Sequence, residues 1–125
     1  MSHQRVQQIL DDLVCGFCEQ TASEVSKLIA GGAQRRFICD RCAARATHAL
    51  RTKDAVEEDG VVMEFTVTTR EPCEFCGCRI GERGGGLKKI EAMATHNRAR
   101  ICRPCVKMGT DILASEWKQA QRALR

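Results

Sequence analysis

Apolar residues recur with two different periods along this chain, and the changes of period mark its elements. Val6, Ile9, Leu10 and Leu13 fall at helical spacing, predicting an amphipathic helix over residues 3–14 with Ser2 as its N-cap. Val25–Ala30 and Phe37–Cys39 read as short strands joined by a turn over Gly31–Arg36. Ala43–Arg51 is alanine-rich and favours helix. The acidic run Asp54–Asp59, closed by Gly60, interrupts the pattern and reads as a linker, with a solvated helix end as the alternative. Val61, Met63, Phe65 and Val67 then alternate with other residues, predicting a strand over 61–69. The order repeats beyond it. Leu87–Ala94 reads as a strand, Thr95–Arg98 as a turn and Ala99–Cys102 as the returning strand. A last helix is expected from Val106, with Val106, Leu113, Trp117, Ala120 and Leu124 as its apolar stripe.

Nine cysteines punctuate this pattern, and eight form C-x-x-C pairs: Cys15 with Cys18, Cys39 with Cys42, Cys73 with Cys76, and Cys102 with Cys105. The last four lie 58, 58, 63 and 63 positions beyond the first four. One motif is therefore written twice, with five extra residues in the second copy, part of them supplied by Gly84, Gly85 and Gly86. Two C-x-x-C pairs separated by 20 or 25 residues are a zinc-ligand pattern. In each pair the thiolates face one ion while backbone N–H groups point at the sulfurs. Two pairs complete a tetrahedral S₄ site, a soft donor set that favours Zn²⁺ over hard cations, with iron as the alternative occupant. A disulfide framework fits an odd cysteine count poorly, and no basic-then-apolar stretch opens the chain as an export signal would. Sites filled by four cysteines are closed, so the two Zn²⁺ are expected to be structural rather than catalytic.

The remaining candidates are weaker. Cys78, two residues after Cys76, reads as a free thiol near a knuckle, with ligand exchange as its other role. His3, His48 and His96 are not at ligand spacing. No carboxylate pair, Ser/His set or open metal site is identifiable, so an enzyme is not expected.

Knuckle, hairpin, knuckle, helix is the treble-clef order. The fold expected is a small zinc-stabilised α+β chain of two tandem C4 fingers. Its parts are an N-terminal helix over 1–14, a first module over 15–53, an acidic linker and strand over 54–72, and a second module over 73–125. Segments of roughly 40–50 residues need metals or partners to persist, and each zinc site can supply on the order of 10 kcal/mol of apparent folding free energy. Apolar faces left over are best buried by packing the two copies together as a pseudo-twofold pair.

Charge changes the picture in one respect. Lys and Arg number 20 against 16 Asp and Glu, a formal +4. Eight thiolates on two Zn²⁺ contribute −2 per site and bring the metal-loaded chain to zero, so composition gives no strong general attraction to nucleic acid. The longest uncharged stretches are far too short to cross a bilayer.

The first copy resembles the N-terminal C4-type zinc-binding domain of the ClpX protein unfoldase family. Cys15-Gly16-Phe17-Cys18, the run Glu24–Gly31 with its Lys27-Leu28-Ile29-Ala30-Gly31, and Ile38-Cys39-Asp40-Arg41-Cys42 carry the likeness over about residues 15–50. Cys73-Glu74-Phe75-Cys76 and Ile101-Cys102-Arg103-Pro104-Cys105 repeat it, while Lys88-Lys89-Ile90-Glu91-Ala92 departs from it. The resemblance implies a treble-clef module that dimerises and brings substrates and adaptors to a Clp-type protease, here as a covalent pair. The chain has no Walker A motif, so unfoldase activity does not carry over.

Two functional readings follow. The first is a bacterial, cytoplasmic, non-enzymatic protein-interaction module: an adaptor or regulator related to Clp-type proteolysis. Phe17 and Phe75, at the same knuckle position in each copy, are its partner-contact or copy-to-copy candidates, with a small-core position beneath the knuckle as the alternative. The second is nucleic-acid binding by basic hairpin tips, Arg35 and Arg36 at one and Arg98 and Arg100 at the other, reinforced by Arg79, Arg83, Lys88, Lys89, Arg103 and Lys107. Net neutrality and the lack of interleaved aromatics weigh against the second. No membrane partner is expected, and association beyond the internal pair is left open.

Overall fold

A computed structural model describes residues 13–31, 36–83 and 88–123. The helix expected over 3–14 lies almost wholly outside them, as do Arg35, the glycines Gly84–Gly86 and Leu124. Where that expected helix should end, the chain is not helical. Val14 bridges Thr21, and Leu13 accepts a backbone hydrogen bond from Ala22, wrapping the chain around the first knuckle.

Strands β1 (Leu28–Ala30) and β2 (Phe37–Cys39) form an antiparallel pair with Leu28 opposite Cys39. β1 is shorter than expected, beginning at Leu28 rather than Val25. Helix α1 (Asp40–Thr52) follows at once. Cys39 is its extended N-cap, and the Cys39 sulfur accepts the Cys42 N–H, satisfying a donor the first turn leaves open. Lys53 ends the helix in the left-handed conformation.

The acidic segment expected as a linker is instead a strand, β3 (Val56–Glu58). It turns through Asp59 and Gly60, both at positive φ, into β4 (Val61–Thr66). Its carboxylates are tolerated because Glu58 and Asp59 face the buried Arg45 of α1, while Val56 packs against the core. β5 (Met93–His96) and β6 (Ala99–Cys102) complete a four-stranded antiparallel sheet in the order β3-β4-β5-β6. Thr95 and His96, expected in the turn, belong to β5. A two-residue turn at Asn97 and Arg98 replaces the four-residue one, with Asn97 supplying the positive φ. Helix α2 (Arg103–Ala123) begins three residues earlier than expected, and Pro104 is accommodated in its first turn.

One core joins both units. Ala43, Ala46, Ala49 and Leu50 of α1 lie in it with Met63, Met93, Ile101 and Val106. Each unit reaches into the other. α1 packs on β4 and β5, and Gly109 of α2 faces Ile29 of β1. The Arg103 guanidinium donates to the Leu50 carbonyl at 2.9 Å, joining the start of α2 to the end of α1. Arg36 meets Glu74 at 2.8 Å and Lys27 meets Glu116 at 2.8 Å across the same boundary. No helix among the described residues is long and apolar enough to cross a membrane.

Candidate metal centres

In each copy the second cysteine pair sits where a hairpin strand delivers the chain to a helix start. Cys15 and Cys18 flank a tight turn, and Cys39 and Cys42 straddle the β2–α1 junction. Cys73 and Cys76, then Cys102 and Cys105, repeat this at the β6–α2 junction. Gly77, at φ 76°, accepts the left-handed conformation at the end of the second knuckle.

The sulfurs of Cys15, Cys18, Cys39 and Cys42 lie within 4.8 Å of one another, as do those of Cys73, Cys76, Cys102 and Cys105. Four sulfurs each ~2.3 Å from a central Zn²⁺ stand ~3.8 Å apart in a tetrahedron. The observed separations are 3.7 Å for Cys18–Cys39, 3.7 Å for Cys76–Cys102 and 3.9 Å for Cys73–Cys105. All nine cysteines are free, and these distances are far beyond a disulfide bond. The donor set and its spacing fit two Zn²⁺ ions.

The surrounding amides fit thiolates. Cys15 accepts from the Phe17 and Cys39 N–H groups, both at 3.4 Å. Cys73 accepts from the corresponding Phe75 and Cys102 N–H groups, both at 3.3 Å. Hydrogen bonds from Cys39 and Cys42 hold the Cys15 thiol far below its ordinary pKa, and those from Cys102 and Cys105 bring Cys73 to about 2. The protons collect on the neighbours. Cys39 is pushed up to about 12, chiefly by its hydrogen bond to Cys15, and Cys42 and Cys105 are raised further. A divalent cation is what allows four such sulfurs to be ionised together.

Cys78 stands outside the second cluster, and burial followed by the charge of Cys76 raises its thiol pKa. His48 and His96 are likewise outside both clusters, and His96 Nδ1 meets the Val62 carbonyl at 2.7 Å.

The expected partner contacts are placed differently. Phe17 and Phe75 are 2% and 7% exposed and stack on each other, ring centroids 6.3 Å apart and planes inclined by 22°. The two rings thus lie in the buried core, in contact with each other across the two copies. The basic tips are similarly engaged. Arg36 pairs with Glu74, and Arg100 donates to the Pro72 and Arg98 carbonyls. Arg103 and Arg79 also donate to carbonyls, of Leu50 and Arg70. Arg98 is exposed at the β5–β6 turn, and Arg35 is outside the described residues.

Sequence reasoning missed Arg45. Its side chain is buried, its Nη1 donates to the Cys42 sulfur at 3.2 Å, and its Nη2 lies 3.6–3.7 Å from Asp59 and Glu58. Burial opposes its charge, but the Cys42 and Glu58 charges outweigh that and raise its pKa. Helical spacing three residues after Cys42 was the available signal.

No solved structure matches the chain. Residues 13–52 match the family model of the ClpX C4-type zinc finger, a span containing the first four cysteines, β1, β2 and α1. The first unit thus resembles the ClpX C4-type zinc finger in its sequence and in its four-cysteine geometry, and the second cysteine cluster, on the same order of elements, is consistent with a tandem copy.

Proposed function

We propose that the chain is a non-enzymatic adaptor or regulator of Clp-type proteolysis, acting by protein contact in a reducing bacterial cytoplasm. The observation that supports this most is the stack of Phe17 on Phe75, which closes two ClpX-type knuckles against each other within one polypeptide. The resemblance implies a finger that pairs with a second copy of itself. Here the second copy is supplied in cis, so the chain offers a ready-made pair.

The eight cysteines would hold two Zn²⁺ ions, which neutralise the thiolates and tie each hairpin to its helix. With four protein sulfurs at each centre, no position is open to a reacting water, so the metal's part is structural. Partner contacts then fall to the outer surface rather than to the phenylalanine rings.

The test mixes purified, zinc-loaded chain with a Clp-type unfoldase and its peptidase. Co-elution on a sizing column and the rate of substrate degradation are measured, using an unfoldase lacking its own zinc domain as the comparison. Co-elution that depends on that domain, with a degradation rate changed by about twofold or more, is expected. Separate elution with unchanged degradation at about 50 μM chain, well above typical adaptor affinities, overturns the proposal.

A further inference from the structure

The two metal centres are built on one plan but shielded unequally. In the first, Cys15, Cys39 and Cys42 are buried and only Cys18 is half-exposed. The Cys42 sulfur also carries the Arg45 guanidinium at 3.2 Å, itself held by Glu58 and Asp59. In the second, both Cys76 and Cys105 are half-exposed. The residue three after Cys105 is Met108, which is 50% exposed and brings no charge to the sulfur. Cys76 and Cys105 also line an apolar groove of about 180 Å³ between β1 and α2, together with Ile29, Val106, Met108 and Ile112.

Zinc-bound thiolates keep nucleophilic character, and a charge-assisted hydrogen bond withdraws electron density from the sulfur that accepts it. Among the described residues, the Cys42 sulfur of the first centre has this protection and the matching Cys105 sulfur of the second has no counterpart.

We infer that Cys105, with Cys76 beside it, is a modification site for small apolar electrophiles such as α,β-unsaturated carbonyl compounds, and that Arg45 makes the first centre resistant to them. The reaction is an addition. The Cys105 thiolate attacks the β-carbon, a carbon–sulfur bond forms, and the alkene electron pair moves to the carbonyl as an enolate that takes a proton from water. The Cys105 sulfur, now a neutral thioether, would no longer serve as a thiolate ligand, and the three remaining cysteines would hold Zn²⁺ less tightly. The groove explains a preference for apolar electrophiles, and the absence of a guanidinium explains which sulfur reacts.

The experiment uses the full zinc-loaded chain carrying Cys78→Ser, so that the free thiol does not consume reagent. N-Ethylmaleimide is the probe, a zinc-binding dye follows metal release, and peptide mass mapping locates the adducts. One equivalent of zinc should leave about tenfold or more faster than the other, with the earliest adducts on Cys105 or Cys76. Arg45→Met, which places the second unit's residue in the first, should accelerate the slow phase about tenfold. Met108→Arg should slow the fast phase. Lengthening the maleimide's alkyl group should accelerate only the fast phase. Equal release from both centres, first adducts among Cys15–Cys42, or a fast phase indifferent to Met108→Arg overturns the inference.

Discussion

Replacing Phe17 or Phe75 with alanine tests whether the two units are one cooperative structure. Both rings are nearly fully buried, and each packs where its neighbours are fixed by a metal knuckle. Truncating a buried phenylalanine costs about 3–5 kcal/mol, from lost transfer free energy and the cavity left behind. Phe17 belongs near the upper end. Phe75 belongs near the lower end, because the apolar groove beside it gives its neighbours room to relax. Since whole domains are stable by only about 5–15 kcal/mol, either change is a large fraction of the total. The rings also interact with each other at 6.3 Å, which adds about 0.5–1.5 kcal/mol beyond area burial. The double variant should therefore lose about 1 kcal/mol less than the two single losses together. Urea unfolding followed by circular dichroism, at a buffered free-zinc level, measures all four chains. Single losses below about 1 kcal/mol, or strict additivity, would refute the claim that this stack joins the units.

Three other outcomes are expected. Gly31→Ala would place a methyl carbon 2.9 Å from Phe75 Cγ and 3.0 Å from its Cα, so it should cost about 1–3 kcal/mol, and Phe75→Leu should relieve part of the loss in the same unfolding assay. A strong chelator should remove close to two zinc equivalents and collapse the helical circular-dichroism signal; a fold that survives metal removal would count against the structural role. Acidification should release zinc. The metal must expel the protons that Cys39, Cys42, Cys102 and Cys105 retain in the metal-free clusters, so apparent affinity rises with pH and falls as pH falls. The sign is the same for Cys15 and Cys73, whose thiol pKa values are lowered on folding. Their contribution is full above the unfolded value of about 8.5 and is lost as pH falls towards the folded one. Calorimetry in two buffers of different ionisation enthalpy counts the protons, and a pH-independent affinity between about 6 and 8 would contradict this.

Sequence legibility followed the strength of the local constraint. The eight ligands were plain because zinc geometry tolerates little variation in spacing, and the returning strands Phe37–Cys39 and Ala99–Cys102 came with them. Helix starts were placed three residues late because Cys39 and Cys102, each a ligand, stand immediately before the first helical residue, Cys39 as the N-cap. β3 was hidden by its own composition. Four acids in six residues suggest solvent, and the distant Arg45, with Arg41 beside Asp59, makes Glu58 and Asp59 compatible with a sheet edge. The fate of Phe17 and Phe75 was similarly non-local, since nothing within either copy specifies that the other copy will cover it.

The β3–β4 hairpin has a consequence for the order in which this polypeptide is made. A ribosome releases α1 well before residues 61–66 emerge, so Ala46, Ala49 and Leu50 are bare on the nascent chain until β4, and after it β5 and α2, arrive to complete the core. A fragment ending at Lys53 would keep its metal ligands yet retain that adhesive face permanently. Excising the first finger therefore yields a sticky product, and any dissection of this protein should keep both units on one fragment.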